Sequence, residues 1–249
     1  MISLKSQKDL IMLKRSGVIL AAVMQKLQAS LRPGITTLDI DLLSEKFIHQ
    51  EKALPAFKGY KGFPGSVCVS INEEIVHGIP GQRVILEGDI VSIDLGVNYE
   101  GFFSDMAVTI AVGKVDAARL KLITVAKQAL DIGIKQAQVG NCLTDISYSI
   151  QSFVEGQGFS VVRQFVGHGI GTALHEEPEI PNFGRPGLGP RLANGMVLAI
   201  EPMINLGSWE CMVIENGWTA VTADGSASAH FEHTVAVTEQ GPVILTKLN

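Results

Sequence analysis

Gly88-Asp-Ile-Val-Ser-Ile-Asp94 and Gly195-Met-Val-Leu-Ala-Ile-Glu201 decide the reading of this chain. Each leaves a glycine turn, runs through apolar residues and closes on a carboxylate, 107 residues apart from Gly88 to Gly195. Short apolar runs bounded by turn residues read as buried strands. A helix pair precedes each. From Asp9 to Leu31, the residues Leu10, Leu13, Leu20, Met24, Leu27 and Leu31 recur at helical spacing, and Pro33-Gly34 ends the run. A second helix opens at Thr36, with Asp39 three residues on as a capping signal. Later, Leu120 to Ala137 reads as a helix and Gly140 turns into another. Setting Gly34 on Gly140, an offset of 106, places Asp39, Ile40, Phe47 and Ile48 on Asp145, Ile146, Phe153 and Val154. The expectation is one domain of residues 1–249 with an internal repeat, its halves near 1–115 and 116–249, sharing one sheet. Asp94 and Glu201 then become equivalents about an approximate two-fold axis.

The composition narrows the class. The chain has 249 residues, 46% hydrophobic and 18% charged, enough apolar surface to offset chain entropy and exclude predominant disorder. A formal charge of -5 argues against nucleic-acid binding. Cys68, Cys142 and Cys211 are odd in number and widely spaced, which favours a reducing cytoplasm over a disulfide framework. The apolar run from Val18 to Met24 is closed by Lys14, Arg15 and Lys26. It reads as a helix, neither a membrane span nor a signal peptide.

Asp94 stands inside the buried strand Ile90–Val97, where an ionised carboxylate costs several kcal/mol without a compensating cation. A hairpin turning between Tyr99 and Glu100 sets Asp105 directly opposite it. Like charges so close call for one or two divalent ions between them. The other half repeats the chemistry with Glu201, before Pro202, and Glu232, in the strand-like run Ala229–Thr238. Asn216-Gly217, a hairpin-turn signal, lies midway between them, although the arms are too long for one regular hairpin. His168 lies in Gly167-His-Gly-Ile-Gly171, where glycines let a ligand approach closely. His175 follows before Glu176-Glu177-Pro178, and His77 lies in Ile75-Val76-His77-Gly78-Ile79-Pro80; each reads equally as a loop histidine. His49 takes a polar helix face, and alternation aims His230 and His233 away from the face of Glu232, so none of the three is assigned a role. The cysteines read as small packing residues. Four carboxylates and one imidazole suit Mn, Fe or Co better than a structural zinc tetrahedron. Bridging carboxylates can hold two such ions about 3.5–4 Å apart, a centre that hydrolyses amides or phosphoesters.

Taken together, Tyr60-Lys-Gly-Phe-Pro-Gly-Ser-Val-Cys-Val-Ser-Ile-Asn-Glu, His77-Gly-Ile-Pro, Asp94 with Asp105, Gly167-His-Gly-Ile-Gly, His175-Glu-Glu-Pro, Ile200-Glu-Pro-Met and Phe231-Glu-His-Thr resemble the short bacterial form of type I methionine aminopeptidase over essentially the full chain. The resemblance implies the α+β pita-bread fold, two pseudo-symmetric halves around a curved antiparallel sheet flanked by helices. It implies that Asp94, Asp105, His168, Glu201 and Glu232 ligate two divalent ions (Co, Mn, Fe or Zn), with Asp105 and Glu232 bridging. It further implies that His77 and His175 contact substrate and transition state, and that Glu201 also moves a proton. Tyr60, Phe63, Cys68 and Trp218 match positions of the methionine pocket. Phe63, Leu174 and Phe57 stand where many relatives carry Tyr, Phe and Cys, which keeps the wall apolar. Only 26 residues separate His175 from Glu201, leaving no room for the helical insertion of type II enzymes, and the chain shows no zinc-type N-terminal region. The implied reaction is attack of a hydroxide generated between the ions on the carbonyl after an N-terminal Met, with a small second residue preferred. The implied setting is cytoplasmic: nascent polypeptides as substrates, the ribosome as a neighbour, a monomer, no membrane and no nucleic acid. Two alternatives are an X-Pro peptidase on the same fold and a non-catalytic binding protein. The first usually carries an additional N-terminal domain, and the second is marked by lost ligands, whereas all five positions are filled here.

Overall fold

The computed structural model describes residues 2–248. Helix α1 (Gln7–Ser30) opens on a reciprocal cap between Ser6 and Asp9 and buries Leu13, Leu20, Met24 and Leu27. Helix α2 (Thr37–Gln50) opens the same way on Thr36 and Asp39. Helix α3 (Ala117–Gln136) begins three residues earlier than its apolar spacing predicts, because Asp116 caps it by accepting from the Arg119 N–H. In α4 (Leu143–Gly156), Asp145 accepts from the Cys142 N–H at 2.8 Å.

The strands form four antiparallel ladders. In the first, β4 (Ile90–Tyr99) pairs along its whole length with β5 (Phe102–Ala111), and on its other side with β1 (Leu54–Pro55) and β2 (Cys68–Ile71). A five-stranded ladder runs β15 (Val243–Ile244), β14 (His233–Ala236), β9 (Val197–Ile200), β7 (Gly167–Gly169), β8 (Glu176–Ile180). Two three-stranded ladders join β13 (Ser228–His230), β10 (Met203–Asn205) and β6 (Ser160–Val161), and β11 (Cys211–Val213), β12 (Ala220–Thr222) and β3 (Glu74–Val76). One apolar core lies under α1 and α2, and a second under α3 and α4.

The same backbone bonds occur in both halves. The Gly34 N–H donates to the Ile85 carbonyl, and the Gly140 N–H donates to that of Leu192. Thr36 bridges Val84, and Cys142 bridges Arg191. Gly88 and Gly195 each donate forward, to Val112 and Val237.

The expected single shared sheet is replaced by a seam. β5 runs antiparallel beside residues 230–234, and threonine hydroxyls take the place of most ladder bonds. Thr109 Oγ1 donates to the His230 carbonyl and accepts from its N–H. Thr234 Oγ1 does the same for Asp105. Between them the Glu232 N–H donates to the Ala107 carbonyl at 2.9 Å.

Candidate metal centre

Asp94 and Asp105 share one face of the β4–β5 hairpin, but they are diagonal neighbours. Asp94 faces Ala107, and Asp105 faces Gly96. The expected direct opposition fails because the turn is Glu100-Gly101, with φ of 52° and 86°. Two positive φ values mark a primed two-residue turn, whose twist matches that of the strands. Gly101 supplies the conformation that a side chain resists, and its N–H is held by Asn98 Oδ1 at 2.9 Å.

Glu201 and Glu232 occupy the gap between two ladders. The β9–β14 pairing ends at Ile200 and His233, and the β10–β13 pairing resumes at Met203 and His230. Both pairings, and that of Cys211 with Thr222 farther out, are centred on Asn216-Gly217. The turn expected midway is therefore the tip of one long, interrupted hairpin. Pro202 has no N–H for a ladder bond, which fixes where the interruption falls.

His168 enters from β7, threaded between β8 and β9. A Cβ on Gly167 would collide with the Ala199 carbonyl, and one on Gly169 with the Glu177 carbonyl. The glycines thus admit the strand that carries the imidazole. His168 Nδ1 lies 2.9 Å from the Gly169 carbonyl. A carbonyl can only accept, so Nδ1 carries the proton and Nε2 turns its lone pair to the site. Nε2 lies 3.9 Å from Asp105 Oδ2 and 3.7 Å from Glu201 Oε1. Ligand atoms of Asp105, His168 and Glu232 lie within 4.8 Å of one another.

The electrostatics demand a cation. Asp94, Asp105 and Glu232 are buried, and among the described residues no Lys or Arg pairs with them or with Glu201. Asp94 Oδ1 and Glu232 Oε1 have no hydrogen-bond partner. Burial raises the Asp105 carboxyl to about 7. Burial, and then the neighbouring carboxylates, push Asp94, Glu201 and Glu232 well above their ordinary range. Burial lowers His168 to about 4, so it is a neutral nitrogen donor. Unpartnered buried oxygens beside a neutral imidazole fit hard or borderline divalent ions.

A cavity of about 140 Å³ opens over these groups. Phe57, Tyr60, Phe63, Cys68, Leu174 and Trp218 line it. Phe63 meets Trp218 edge-on at 5.2 Å. Burial raises the Cys68 thiol, which keeps it protonated and a wall residue. The His175 ring stacks on Tyr60 at 5.2 Å and lies 4.1 Å from the His168 ring. Burial above all lowers His175 to about 3. His77 has φ 60°, an uncommon value for a side-chain-bearing residue, and its ring sits edge-on to Phe165 and Trp218 at 5.5 and 6.3 Å. All the residues singled out from the sequence therefore meet in one cavity.

Two further residues adjoin these groups without having been assigned a role. His230 Nε2 lies 3.4 Å from Glu201 Oε2. Alternation excluded it by assuming an unbroken strand, and the interruption at Phe231-Glu232 removes that premise. Lys61 lines the cavity from a turn at φ 48°; no pattern in the sequence marks it.

Comparison with known proteins agrees with this geometry. Residues 12–239 match the model of Metallopeptidase family M24. The methionine aminopeptidase of Clostridium perfringens is 52% identical over 246 residues, covering 99% of each chain. The crystal structure of methionine aminopeptidase from Thermotoga maritima superposes with a TM-score of 0.98, at 46% identity and full coverage of both chains. An Xaa-Pro dipeptidase from Bacillus anthracis shares the fold alone: TM-score 0.80, 22% identity, with 99% of this chain matched to 62% of that one. The chain accordingly has the pita-bread α+β fold and belongs to metallopeptidase family M24, among its methionine aminopeptidases.

Proposed function

We propose that this hydrolase removes N-terminal methionine from nascent proteins and peptides whose second residue is small. The convergence of buried, cation-free carboxylates from both halves beneath an apolar cavity carries this reading. Asp94, Asp105, His168, Glu201 and Glu232 would hold two divalent ions, with Asp105 and Glu232 contributing from the seam. Bound there, the ions supply Lewis acidity and a water of lowered pKa.

The chain's own groups do the rest. Tyr60, Phe63, Cys68 and Trp218 receive the methionine side chain and exclude water from it. His175, neutral because it is buried, donates an N–H to the carbonyl oxygen as charge develops there. His77, fixed between Phe165 and Trp218, contacts the peptide near the scissile nitrogen. Glu201, whose carboxyl burial has raised, takes a proton and returns it to the leaving amine. No helix of the described residues is long and apolar enough to cross a membrane, and Cys68, Cys142 and Cys211 are unpaired. On this reading the protein acts as a monomer in the cytoplasm, on nascent chains near the ribosome.

A metal-reconstitution assay on Met-X-Ser tripeptides tests the reading. Release of Met from Met-Ala-Ser but not from Met-Leu-Ser is expected. Preferential cleavage of an Ala-Pro dipeptide would reassign the protein to the X-Pro peptidases.

A further inference from the structure

The segment before α1 reaches the turn that carries His175. The Lys5 N–H donates to the Gly195 carbonyl at 2.7 Å, which anchors its backbone. Its side chain then runs inward and pairs with Glu176. The two side chains are only 6% and 14% exposed, so the pair is shielded from solvent. Removing one partner of such a pair strands a buried charge.

Glu176 does more than neutralise Lys5. Its Oε1 accepts from the Thr172 N–H at 2.8 Å and the Ala173 N–H at 3.2 Å. One carboxylate therefore closes the turn on itself and fastens it to the N-terminal segment. Gly171, the last glycine of the Gly167–Gly171 motif, is the surface on which this pair rests. A Cβ there would collide with the Lys5 stem and the Glu176 carboxylate. The Gly171 carbonyl is held in turn by the Phe103 N–H at 2.8 Å, on the strand that carries Asp105. Leu174 and His175, inside the turn, face the cavity.

We propose that Lys5 and Glu176 are positioning residues: their buried ion pair clamps the 171–176 turn and so fixes the His175 ring over the carboxylate end of the site. The proposal rests on the reading that His175 contacts the transition state. Misplacement of such a group by a fraction of an ångström costs turnover more than binding.

The test uses the full chain with Lys5→Met, Lys5→Arg and Glu176→Gln. Backbone amide exchange at Thr172 and Ala173 is followed by NMR, and kcat and KM are measured on Met-Ala-Ser. Lys5→Met is expected to speed exchange at both amides and to lower kcat, each about tenfold, with KM within about twofold and bound metal unchanged. Lys5→Arg, which keeps the charge, restores both. Glu176→Gln keeps an accepting oxygen and gives a smaller loss of kcat, which provides a second reading should Lys5→Met fail to fold. Wild-type exchange and kcat in Lys5→Met overturn the clamp, as does faster exchange with unchanged kcat. If the wild-type protein released no Met, the proposed function would fall, while the exchange rates would still judge the clamp.

Discussion

The two halves carry their carboxylates on hairpins of opposite character. β4 and β5 pair without interruption from Ile90 with Ala111 to Tyr99 with Phe102, so Asp94 and Asp105 stand on a continuous ladder. The hairpin of Glu201 and Glu232 is centred on Asn216-Gly217 but breaks where the two glutamates face each other. The break frees the Glu232 N–H to bond Ala107 of the first half. One half therefore supplies rigidity, and the other gives up ladder bonds to join the halves. Asp105 and Glu232, which we propose as metal ligands, lie at that junction.

The largest effect should come from cutting the junction on its rigid side. Asp105→Ala is expected to lower kcat/KM about a thousandfold, the factor for roughly 4 kcal/mol of lost charge stabilisation. Near-normal turnover of the purified variant at saturating metal would show that the hairpins need not converge on ions. Next in size is His175→Ala, which removes a donor and no ligand. A fall in kcat of about a hundredfold with full metal content is expected. Loss of metal, followed by normal turnover once reloaded, would place His175 among the ligands instead.

Removing metal should expose the mutual repulsion of the two carboxylate pairs, and its pH dependence has a definite sign. Asp105 is raised to about 7, and its three neighbours are raised as well, by burial and by one another. Between their unfolded and folded values these four carboxyls bind more protons in the folded chain, so their own contribution to metal-free stability is fully present in acid and is lost as pH rises through about 7. Ions need the deprotonated groups, so their stabilisation grows over the same range. The gap in Tm between reloaded and chelated protein should be about 5–10 °C at pH 7.5 and should close toward pH 5. A gap that widened in acid would contradict this. The smallest expected effect tests the unbroken hairpin at its tip. Gly101→Ala forces a side chain to φ 86° and should cost about 1 kcal/mol, or about 2–4 °C in Tm. No change would show that this turn does not set the register of Asp94 and Asp105.

The carboxylates were legible in the sequence because a charge inside an apolar strand has few readings. The helix pairs were legible because a glycine turn and an aspartate recur at one offset, from Gly34 with Asp39 to Gly140 with Asp145. Register was less so. The expected turn lies one residue too early, since Tyr99-Glu100 and Glu100-Gly101 are both polar and only backbone twist separates them. His230 was hidden because alternation holds only along an unbroken strand. The seam, the Lys61 turn and the Lys5–Glu176 pair join residues far apart in sequence, and no local pattern encodes such contacts.

The central claim is that buried oxygens from both halves, with His168, exist to hold divalent ions that hydrolysis requires. Equilibrium dialysis of the chelated protein against Mn(II), with Met release from Met-Ala-Ser followed at each loading, tests it most directly. The account predicts two ions per chain and a rate that rises with loading from a metal-free background. Full Met release in the presence of chelator, or no bound ion at a loading that supports turnover, would contradict it.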